Sequence, residues 1–406
     1  MDFLRDPVIF ISTLIQKWLT PLDLPASLAD QIVPTLGAVV LPLLAMMWVI
    51  FLIWYERKII GRLQDRLGPN RVGPFGLFQP FADMAKIFTK EYITPAGADV
   101  VPYNLAPIMA VGGILVMWAV VPFSSTVYGV DINVGVLYLI AAGAISSLGI
   151  IFAGYSSNNK YAMLGAFRVI AQLISYEIPM AMALLVPVIL ARSMGLNTIV
   201  KSQPVWFIVV APLAALLFFI SSVAEVGRAP FDLAEAESEI VAGFNIEYSG
   251  LKFGMFYVGE FLHAFTISLL FTAVFLGGWQ GPWAQQIPIL GFVYFVIKTM
   301  VVYFLVILFR GSFPRFRLDQ VMKLNWQIFT PIALMAVVTT ALIEKIMVNS
   351  GSVIRILVHL AANLVILGIV LLVGRASLNK RKIKMDELAE RHRSTQTMVM
   401  EHTHDA

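Results

Sequence analysis

The sequence predicts an all-α fold, a polytopic bundle of helices that cross a membrane. Hydrophobic residues make up 59% of the 406 residues and charged residues only 13%, whereas soluble domains are roughly half apolar and about a quarter charged. The apolar residues form nine runs, each close to the roughly 20 residues that a helix needs to cross the hydrocarbon core. The predicted spans are residues 32–55, 105–122, 134–154, 169–191, 205–224, 253–277, 287–309, 328–343 and 353–373.

The distribution of basic residues predicts the orientation of these spans. Of the 29 Lys and Arg residues, 22 lie in alternate loops and the tail, on one side of the bundle, and only 6 lie on the other side. Loops that are rich in Lys and Arg stay in the cytoplasm. We therefore expect the N-terminus outside and the C-terminus inside, with the two long loops, 56–99 and 225–252, in the cytoplasm.

The two ends of the chain are predicted to differ from the bundle. Residues 1–30 contain a short apolar run, 8–15, followed by Gln16 and Lys17. This pattern favours an amphipathic helix at the membrane interface over a signal peptide. Residues 31–375 form the transmembrane part, and residues 376–406 are polar and basic, as is typical of a cytoplasmic tail.

The sequence lacks the motifs of most redox and nucleotide sites. It contains no cysteine, which excludes disulfides, thiolate-held iron–sulfur clusters and cysteine-based zinc sites. It has no Walker sequence and no glycine-rich nucleotide motif. A haem held by His263 and His359 is an alternative, but neither predicted span carries a second histidine. We expect no redox centre, metal site, catalytic residue or nucleic-acid partner.

The first long loop combines a basic segment, the turn GPNRVGPFG and an amphipathic stretch. In that stretch apolar residues recur at helical spacing, with charged residues between them. They are Leu77, Phe78, Phe81, Met84, Ala85 and Phe88. The pattern predicts a surface helix that lies against the bundle.

The second long loop concentrates acidic residues around a single arginine, Arg228. Its carboxylates are Glu225, Asp232, Glu235, Glu237, Glu239 and Glu247. Gly227 and Pro230 are expected to end the preceding helix, and Asp232 with Glu235 is expected to cap the next one in a capping box. In that helix Asp232, Glu235 and Glu239 share a face, whereas Glu237 points elsewhere.

Helix capping explains at most two of these six acids. Two carboxylates about 6 Å apart repel by roughly 3 kcal/mol at an effective dielectric constant near 20. Several of them in a partly buried site will therefore not all be ionised near neutral pH. The pattern favours a role in proton or charge transfer, and a solvated loop is the alternative.

Four ionisable residues lie inside predicted spans. They are Glu177, Glu260, His263 and Lys298. Each is costly in lipid and is expected to face the protein interior. Together they favour a hydrated path through the bundle. For any one of them alone, the alternative is a snorkelling or structural role.

Both loops closely resemble the signature loops of a known family. The segments ERKIIGRLQDRLGPNRVGPFGLFQPFADMAKIFTKE and AEVGRAPFDLAEAESEIVAGFNIEYSG are similar almost throughout to those of the H subunit of proton-pumping NADH:quinone oxidoreductase, respiratory complex I. The resemblance covers roughly residues 30–375. The long polar tail departs from shorter relatives, so nothing is transferred to it.

The resemblance implies a bundle at the junction of the membrane arm and the hydrophilic arm. The first span, the sixth span and the amphipathic helix would frame an opening through which quinone enters from the lipid. Its matching positions are Glu56, Arg57 and Asp83, beside the aromatic side chains of Phe75, Phe78, Phe81 and Phe88. The positions that match a proton- and charge-coupling chain are Glu177, Glu225, Arg228, Asp232, Glu235, Glu237, Glu239 and Glu260.

The resemblance also implies partners and a location. Quinone would be the substrate, while flavin and iron–sulfur clusters would reside in partner subunits. The expected partners are subunits of the hydrophilic quinone module and of the membrane arm, together with membrane lipid. The location would be the bacterial plasma membrane, or the inner mitochondrial membrane if the source is an organelle.

Two other functions remain open at this point. One is the related membrane subunit of a proton-pumping hydrogenase or formate-oxidising complex. The other is an autonomous ion transporter, for which internal repeats are typical, and we find none in the sequence.

Overall fold

A computed structural model of the chain describes residues 13, 26–232, 243–347, 351, 353–372 and 374–375. This part of the chain is helical and contains no β-strand. Its helices are α1 (Ala26–Leu63), α2 (Gln79–Thr89), α3 (Val100–Met117), α4 (Gly135–Ser156), α5 (Lys160–Ala191), α6 (Leu196–Lys201), α7 (Phe207–Val210), α8 (Pro212–Glu225), α9 (Gly250–Phe275), α10 (Pro288–Ser312), α11 (Leu318–Leu324), α12 (Thr330–Ile346) and α13 (Val353–Leu372). A π-helical turn, Asn325–Phe329, joins α11 to α12.

Eight helices within the described residues are long and apolar enough to cross a membrane, which confirms the predicted polytopic bundle. The predicted span 205–224 is divided into α7 and the 14-residue α8. Ala211 between them has a non-helical backbone, with φ −131° and ψ 65°. It precedes Pro212, whose ring disfavours a helical conformation in the residue before it. The nine predicted spans thus correspond to eight long helices and one shorter apolar helix.

Two expectations are not settled by these helices. The orientation of the termini stays a prediction. Nearly all of segment 1–30 and the whole of tail 376–406 lie outside the described residues, so the proposed division of the chain at residues 30 and 375 also stays a prediction.

Several helices continue beyond their predicted spans because their ends are polar. The α1 helix extends past residue 55 through the sequence ERKIIGRL to Leu63, and α5 begins at Lys160 rather than at residue 169. Charged residues such as Glu, Lys and Arg are good helix formers. Hydropathy therefore marks where a helix crosses the membrane and does not mark where the helix ends.

The α9 helix lies at the centre of the bundle. In its most apolar 18-residue stretch 83% of the residues are buried, compared with 17% in α1 and in α13. It packs against α1, α3 and α10. Polar side chains on α9 are therefore placed among other helices, where the cost of exposing them to lipid is avoided.

Small residues bring α3 and α4 close together. A Cβ atom added to Gly113 would lie 2.7 Å from the backbone nitrogen of Ser146, and one added to Gly149 would lie 2.7 Å from the backbone nitrogen of Ala110. Glycines at such contacts let two membrane helices approach backbone to backbone. This contact sets the position of Ser146, which lines the cavity described below.

Candidate functional site

Glu56 lies at the centre of a buried ion-pair cluster near the C-terminal end of α1. The residue is 2% exposed. Its carboxylate accepts hydrogen bonds from Arg228 and Arg310, and the hydroxyl of Tyr303 donates to its Oε2 atom at 3.0 Å. A carboxylate buried at this depth is stable as an anion only because cations and donors surround it. The cluster joins α1, α10 and the segment that follows α8.

Arg228 reaches this cluster because the chain turns sharply after α8. Gly227 has a φ of 72°, a left-handed conformation that glycine adopts without strain. Besides Glu56, the guanidinium of Arg228 contacts Glu260, with 3.0 Å from Nε to Oε1, and its central carbon lies 4.5 Å from the centre of the Phe261 ring. Burial acts to lower the pKa of Arg228, but the carboxylates of Glu56 and Glu260 outweigh burial and raise it. Arg228 therefore remains a cation.

Glu225 occupies the boundary between two cavities. The larger has a volume of about 70 Å³ and is lined by Asp232, Glu260 and His263 as well as by Glu225. The smaller has a volume of about 20 Å³ and is lined by Glu177 and Glu225. Because Glu225 borders both, it connects the carboxyl group of α5 with those near Arg228. The carboxyl groups of Glu177, Glu225 and Glu260 thus follow one another from α5 toward α9.

The surface near the end of α1 is formed by α2 and the turn before it. Arg57 pairs with Asp83 of α2, and Trp54 Nε1 donates to the carbonyl of Phe75 at 3.2 Å. The predicted amphipathic helix is present, but the aromatic side chains of this helix and of the turn before it do not rest on the bundle. Four of them are 47% to 74% exposed, namely Phe75, Phe78, Phe81 and Phe88. They form an exposed apolar surface.

The structure thus brings most of the described candidate residues into two neighbouring groups. Glu56 and Arg57 are adjacent in sequence yet face different groups, since Glu56 points into the buried cluster and Arg57 pairs with Asp83 at the surface. Three acidic candidates of the second loop lie outside the described residues, namely Glu235, Glu237 and Glu239. Their roles stay predictions from the sequence.

Glu247, another acid of the second loop, lines neither of these two cavities. Its Oε1 atom accepts a hydrogen bond from Asn159 Nδ2 at 2.6 Å, and its backbone carbonyl accepts one from Tyr103 at 2.8 Å. These bonds tie the end of the loop to α3 and to the start of α5. These contacts indicate that Glu247 has a structural role, which is to hold the end of the loop against the bundle.

Arg310 and Tyr303 belong to the site although the sequence did not reveal them. They are seven residues apart on α10 and so lie on one face of the helix. A weak signal was available, since a tyrosine and an arginine on one face of a predicted span, at the end where Glu56 also leaves its span, are potential partners of a carboxylate.

The sequence predicted that Lys298 lies along a hydrated path, but its contacts in the structure are structural. Its ammonium group donates to the carbonyls of Leu276, Gly278 and Gln280 at 2.9, 3.1 and 2.8 Å. It also lies 5.0 Å from the centre of the Trp206 ring. These carbonyls belong to the turn that follows α9, which ends at Phe275. Lys298 therefore holds together the turn after α9.

Comparison with known proteins connects this arrangement with one family. The sequence profile of the NADH dehydrogenase family matches residues 36–341. The H subunit of NADH-quinone oxidoreductase from Dehalococcoides mccartyi is 45% identical over 327 residues, which cover 80% of this chain and 90% of the relative. An H subunit of the same enzyme from Geobacter metallireducens is 47% identical over 300 residues, or 71% of this chain and 90% of the relative. The H subunit from Paramagnetospirillum magneticum is 45% identical over 312 residues, or 76% and 91%.

Proposed function

Because the chain belongs to the family of the H subunits of NADH-quinone oxidoreductase, we propose that it forms the quinone entrance of that complex and couples quinone reduction to proton translocation. It is a multi-pass subunit of an oxidoreductase in the bacterial plasma membrane. The names of the relatives favour this activity over that of a hydrogenase or formate-oxidising complex. The observation that carries the coupling proposal is the position of Glu225 between two carboxylate-lined cavities.

Quinone enters from the lipid beside α2. The exposed aromatic side chains of Phe75, Phe78, Phe81 and Phe88 offer apolar contacts to an isoprenoid tail, which water-facing polar residues could not provide. The ion pair of Arg57 with Asp83 fixes α2 against α1. Electrons reach the quinone from flavin and iron–sulfur clusters in partner subunits of the hydrophilic module, and this chain supplies the binding surface.

Charge is transferred from the quinone region through the carboxyl groups. Arg228 remains a cation, and Glu56 and Glu260 are its counter-ions. Glu225 has no Arg or Lys ion-pair partner among the described residues, so its buried carboxyl group is the one most easily neutralised by a proton. A change of charge near Arg228 therefore alters the proton affinity of Glu225, and Glu177 receives the effect through the smaller cavity. The remaining acids of the second loop extend this chain, namely Asp232, Glu235, Glu237 and Glu239.

The test replaces Glu225 by Gln in the assembled complex, which removes a titrating group and nearly preserves its shape. In sealed vesicles, both proton uptake and coupled NADH:quinone turnover are expected to fall by roughly tenfold or more. Glu235→Gln and Glu239→Gln are expected to have the same effect. Labelling by a photo-reactive quinone is expected at residues 56–92 or in the adjoining spans.

The matched control is Glu247→Gln, because Glu247 belongs to the same acidic segment but bonds to Asn159 and lines neither of the two carboxylate cavities. This variant is expected to keep turnover and proton uptake. Wild-type proton uptake in Glu225→Gln, or equal losses in both variants, would show that the acids act as a solvated or structural segment. Photo-labelling confined to loops at the opposite end of the bundle would contradict the proposed quinone entrance.

A further inference from the structure

His263 faces Glu225 inside the larger cavity. The two residues come from different helices, α9 and the end of α8, and their side chains are 13% and 9% exposed. The distance between His263 Nε2 and Glu225 Oε1 is 3.9 Å, which is too long for a direct hydrogen bond. An imidazole and a carboxylate at this separation need an intervening group to exchange a proton.

Two buried polar atoms in this pair are unsatisfied. His263 Nε2 and Glu225 Oε2 have no hydrogen-bond partner among the described residues. Buried polar atoms of this kind are normally paired with protein or with ordered water. Both side chains line the cavity of about 70 Å³, and about 10 to 15 Å³ of such volume is enough for one water molecule. The cavity therefore has the room and the polar lining to hold several waters.

The charges nearby distinguish Glu225 from its neighbours. Arg228 is engaged by Glu56 and Glu260, and Glu56 is engaged by Arg310 as well. Among the described ion pairs, that of Glu225 is with His263. The imidazole is thus a group of the cavity that is positioned to accept a proton from Glu225 without breaking an ion pair of Arg228.

We infer that His263 is a proton-transfer residue, connected to Glu225 by a water molecule and passing protons between Glu225 and Glu260 through the larger cavity. The inference rests on the proposed coupling function and adds to it a residue from outside the carboxylate set. Glu260 lies three residues before His263 on α9, so both side chains project from the same face of the helix into the same cavity.

The transfer conserves protons and requires no further reactant. The O–H bond of protonated Glu225 breaks as its proton moves to the bridging water, and that water gives one of its own protons to Nε2 of neutral His263. The imidazolium then loses a proton from Nε2 through cavity water to the carboxylate of Glu260. Glu225 is left as an anion and His263 is neutral again. Glu260 is protonated and gives up its charge pairing with Arg228, which stays paired with Glu56.

The test uses His263→Gln and His263→Asn in the intact complex, reconstituted in sealed vesicles. Proton uptake is expected to fall by roughly tenfold, less than the hundredfold or more typical of a proton-transfer group in a chemical step, because water alone still carries protons slowly. The ratio of turnover in H2O to turnover in D2O is expected to rise. A residue that only fills space would leave this ratio unchanged.

His359→Gln is the matched control, because His359 is also a buried histidine of a membrane helix but pairs with Glu344 away from the cavity. It is expected to keep proton uptake and the isotope ratio of the wild type. Wild-type values in both His263 variants would overturn the inference. If Glu225→Gln is impaired at the same time, the proposed function stands and the role of His263 alone fails.

If both His263 variants fail to assemble, a measurement on the unaltered protein tests the inference. High-resolution electron cryomicroscopy of the complex is expected to show a water molecule within hydrogen-bond distance of both His263 Nε2 and Glu225 Oε2. A dry cavity, or a side chain of another residue between these atoms, would overturn the inference.

Discussion

Arg228 donates a hydrogen bond to Glu56 across 172 positions of the sequence, and both side chains are 3% exposed. This contact fixes the segment after α8 to the end of α1. One side of the contact leads to Arg310 and Tyr303, and the other leads to Glu260 and the larger cavity. The pair thus joins the region proposed for quinone entry to the region proposed for proton transfer.

Replacing Arg228 by Met is expected to destabilise the subunit strongly. Removing one partner of a buried ion pair typically costs about 3–5 kcal/mol, because the remaining charge is left buried. Arg310→Met is expected to cost less, since the Arg310 side chain is 34% exposed and Glu56 keeps Arg228. The measurement is retention of the subunit in the complex during graded heating, combined with coupled quinone turnover.

A double substitution supplies the control for this pair. Glu56→Gln combined with Arg228→Met is expected to cost less than the sum of the two single substitutions, because each single substitution already removes the Glu56–Arg228 contact. Strict additivity, or equal effects of Arg228→Met and Arg310→Met, would contradict the central position of Arg228.

The sequence identified the polar residues of the site more successfully than their partners. Glu260 and His263 stand out because ionisable residues in an apolar run are costly unless they face protein. The same rule selected Lys298, yet the structure pairs that residue with three carbonyl groups at the end of α9. A single position shows that a polar residue needs partners, whereas the identity of those partners depends on tertiary packing.

Arg310 illustrates the same limit from the other direction. It lies at a span end, where the positive residues that set membrane topology are common, so only its position on the same helix face as Tyr303 separates it from them, and that signal is weak. Its contact with Glu56 spans 254 positions. The helices themselves were predicted well because a span is a local property of about 20 residues. The break within span 205–224 would have been predicted if Pro212 had counted for more than the apolar run around it.

Gly113→Ala is expected to separate α3 from α4. The added Cβ would meet the Ser146 nitrogen at 2.7 Å and the Ala142 oxygen at 2.9 Å, and backbone atoms cannot rotate away as side chains do. Overpacking of this kind typically costs about 1–3 kcal/mol. Because Ser146 lines the larger cavity, proton uptake is expected to fall together with thermal stability.

The adjacent glycine provides the matched control for that substitution. A Cβ added to Gly112 has nothing within 4 Å, and alanine is the better helix former by about 1 kcal/mol. Gly112→Ala is therefore expected to keep stability and activity. If Gly112→Ala and Gly113→Ala behave alike in the heating assay, close packing of α3 on α4 is not the reason that residue 113 is a glycine.

Asp83→Asn is expected to loosen α2 and to weaken the use of long-tailed quinones. The side chains of Arg57 and Asp83 are 41% and 25% exposed, so the lost stability should be small, about 0.2–1 kcal/mol as for other surface pairs. Turnover with a long-tailed quinone should fall about two- to fivefold, while turnover with a short-tailed quinone should change less. Steady-state kinetics with the two quinones would measure this difference.

Exchanging the two charges tests whether the pair itself matters. Arg57→Asp combined with Asp83→Arg is expected to restore much of the lost turnover, and Asp65→Asn, at an exposed acid of the same loop, should leave it unchanged. Failure of the exchange to restore long-tailed quinone turnover, with normal assembly, would argue against the ion pair as the support of α2.

Glu344→Gln is expected to loosen the last helix without affecting catalysis. The carboxylate of Glu344 on α12 contacts Arg355 at 3.7 Å and His359 at 3.2 Å, both on α13, and Arg192 at 3.4 Å. Glu344 lies beyond the matched family region, which ends at residue 341. Losing a buried charged acceptor typically costs about 1–3 kcal/mol, and here that cost falls on the docking of α13 against α12.

Hydrogen–deuterium exchange of residues 353–372 in the assembled complex measures this docking. Exchange is expected to be faster in Glu344→Gln than in the wild type, whereas Lys345→Gln, at the exposed neighbouring position, should match the wild type. Quinone turnover and proton uptake per assembled complex should be unchanged in both variants, because these residues lie on neither cavity. A loss of proton uptake in Glu344→Gln with unchanged exchange in α13 would mean that Glu344 belongs to the proton path and is not a structural link between the last two helices.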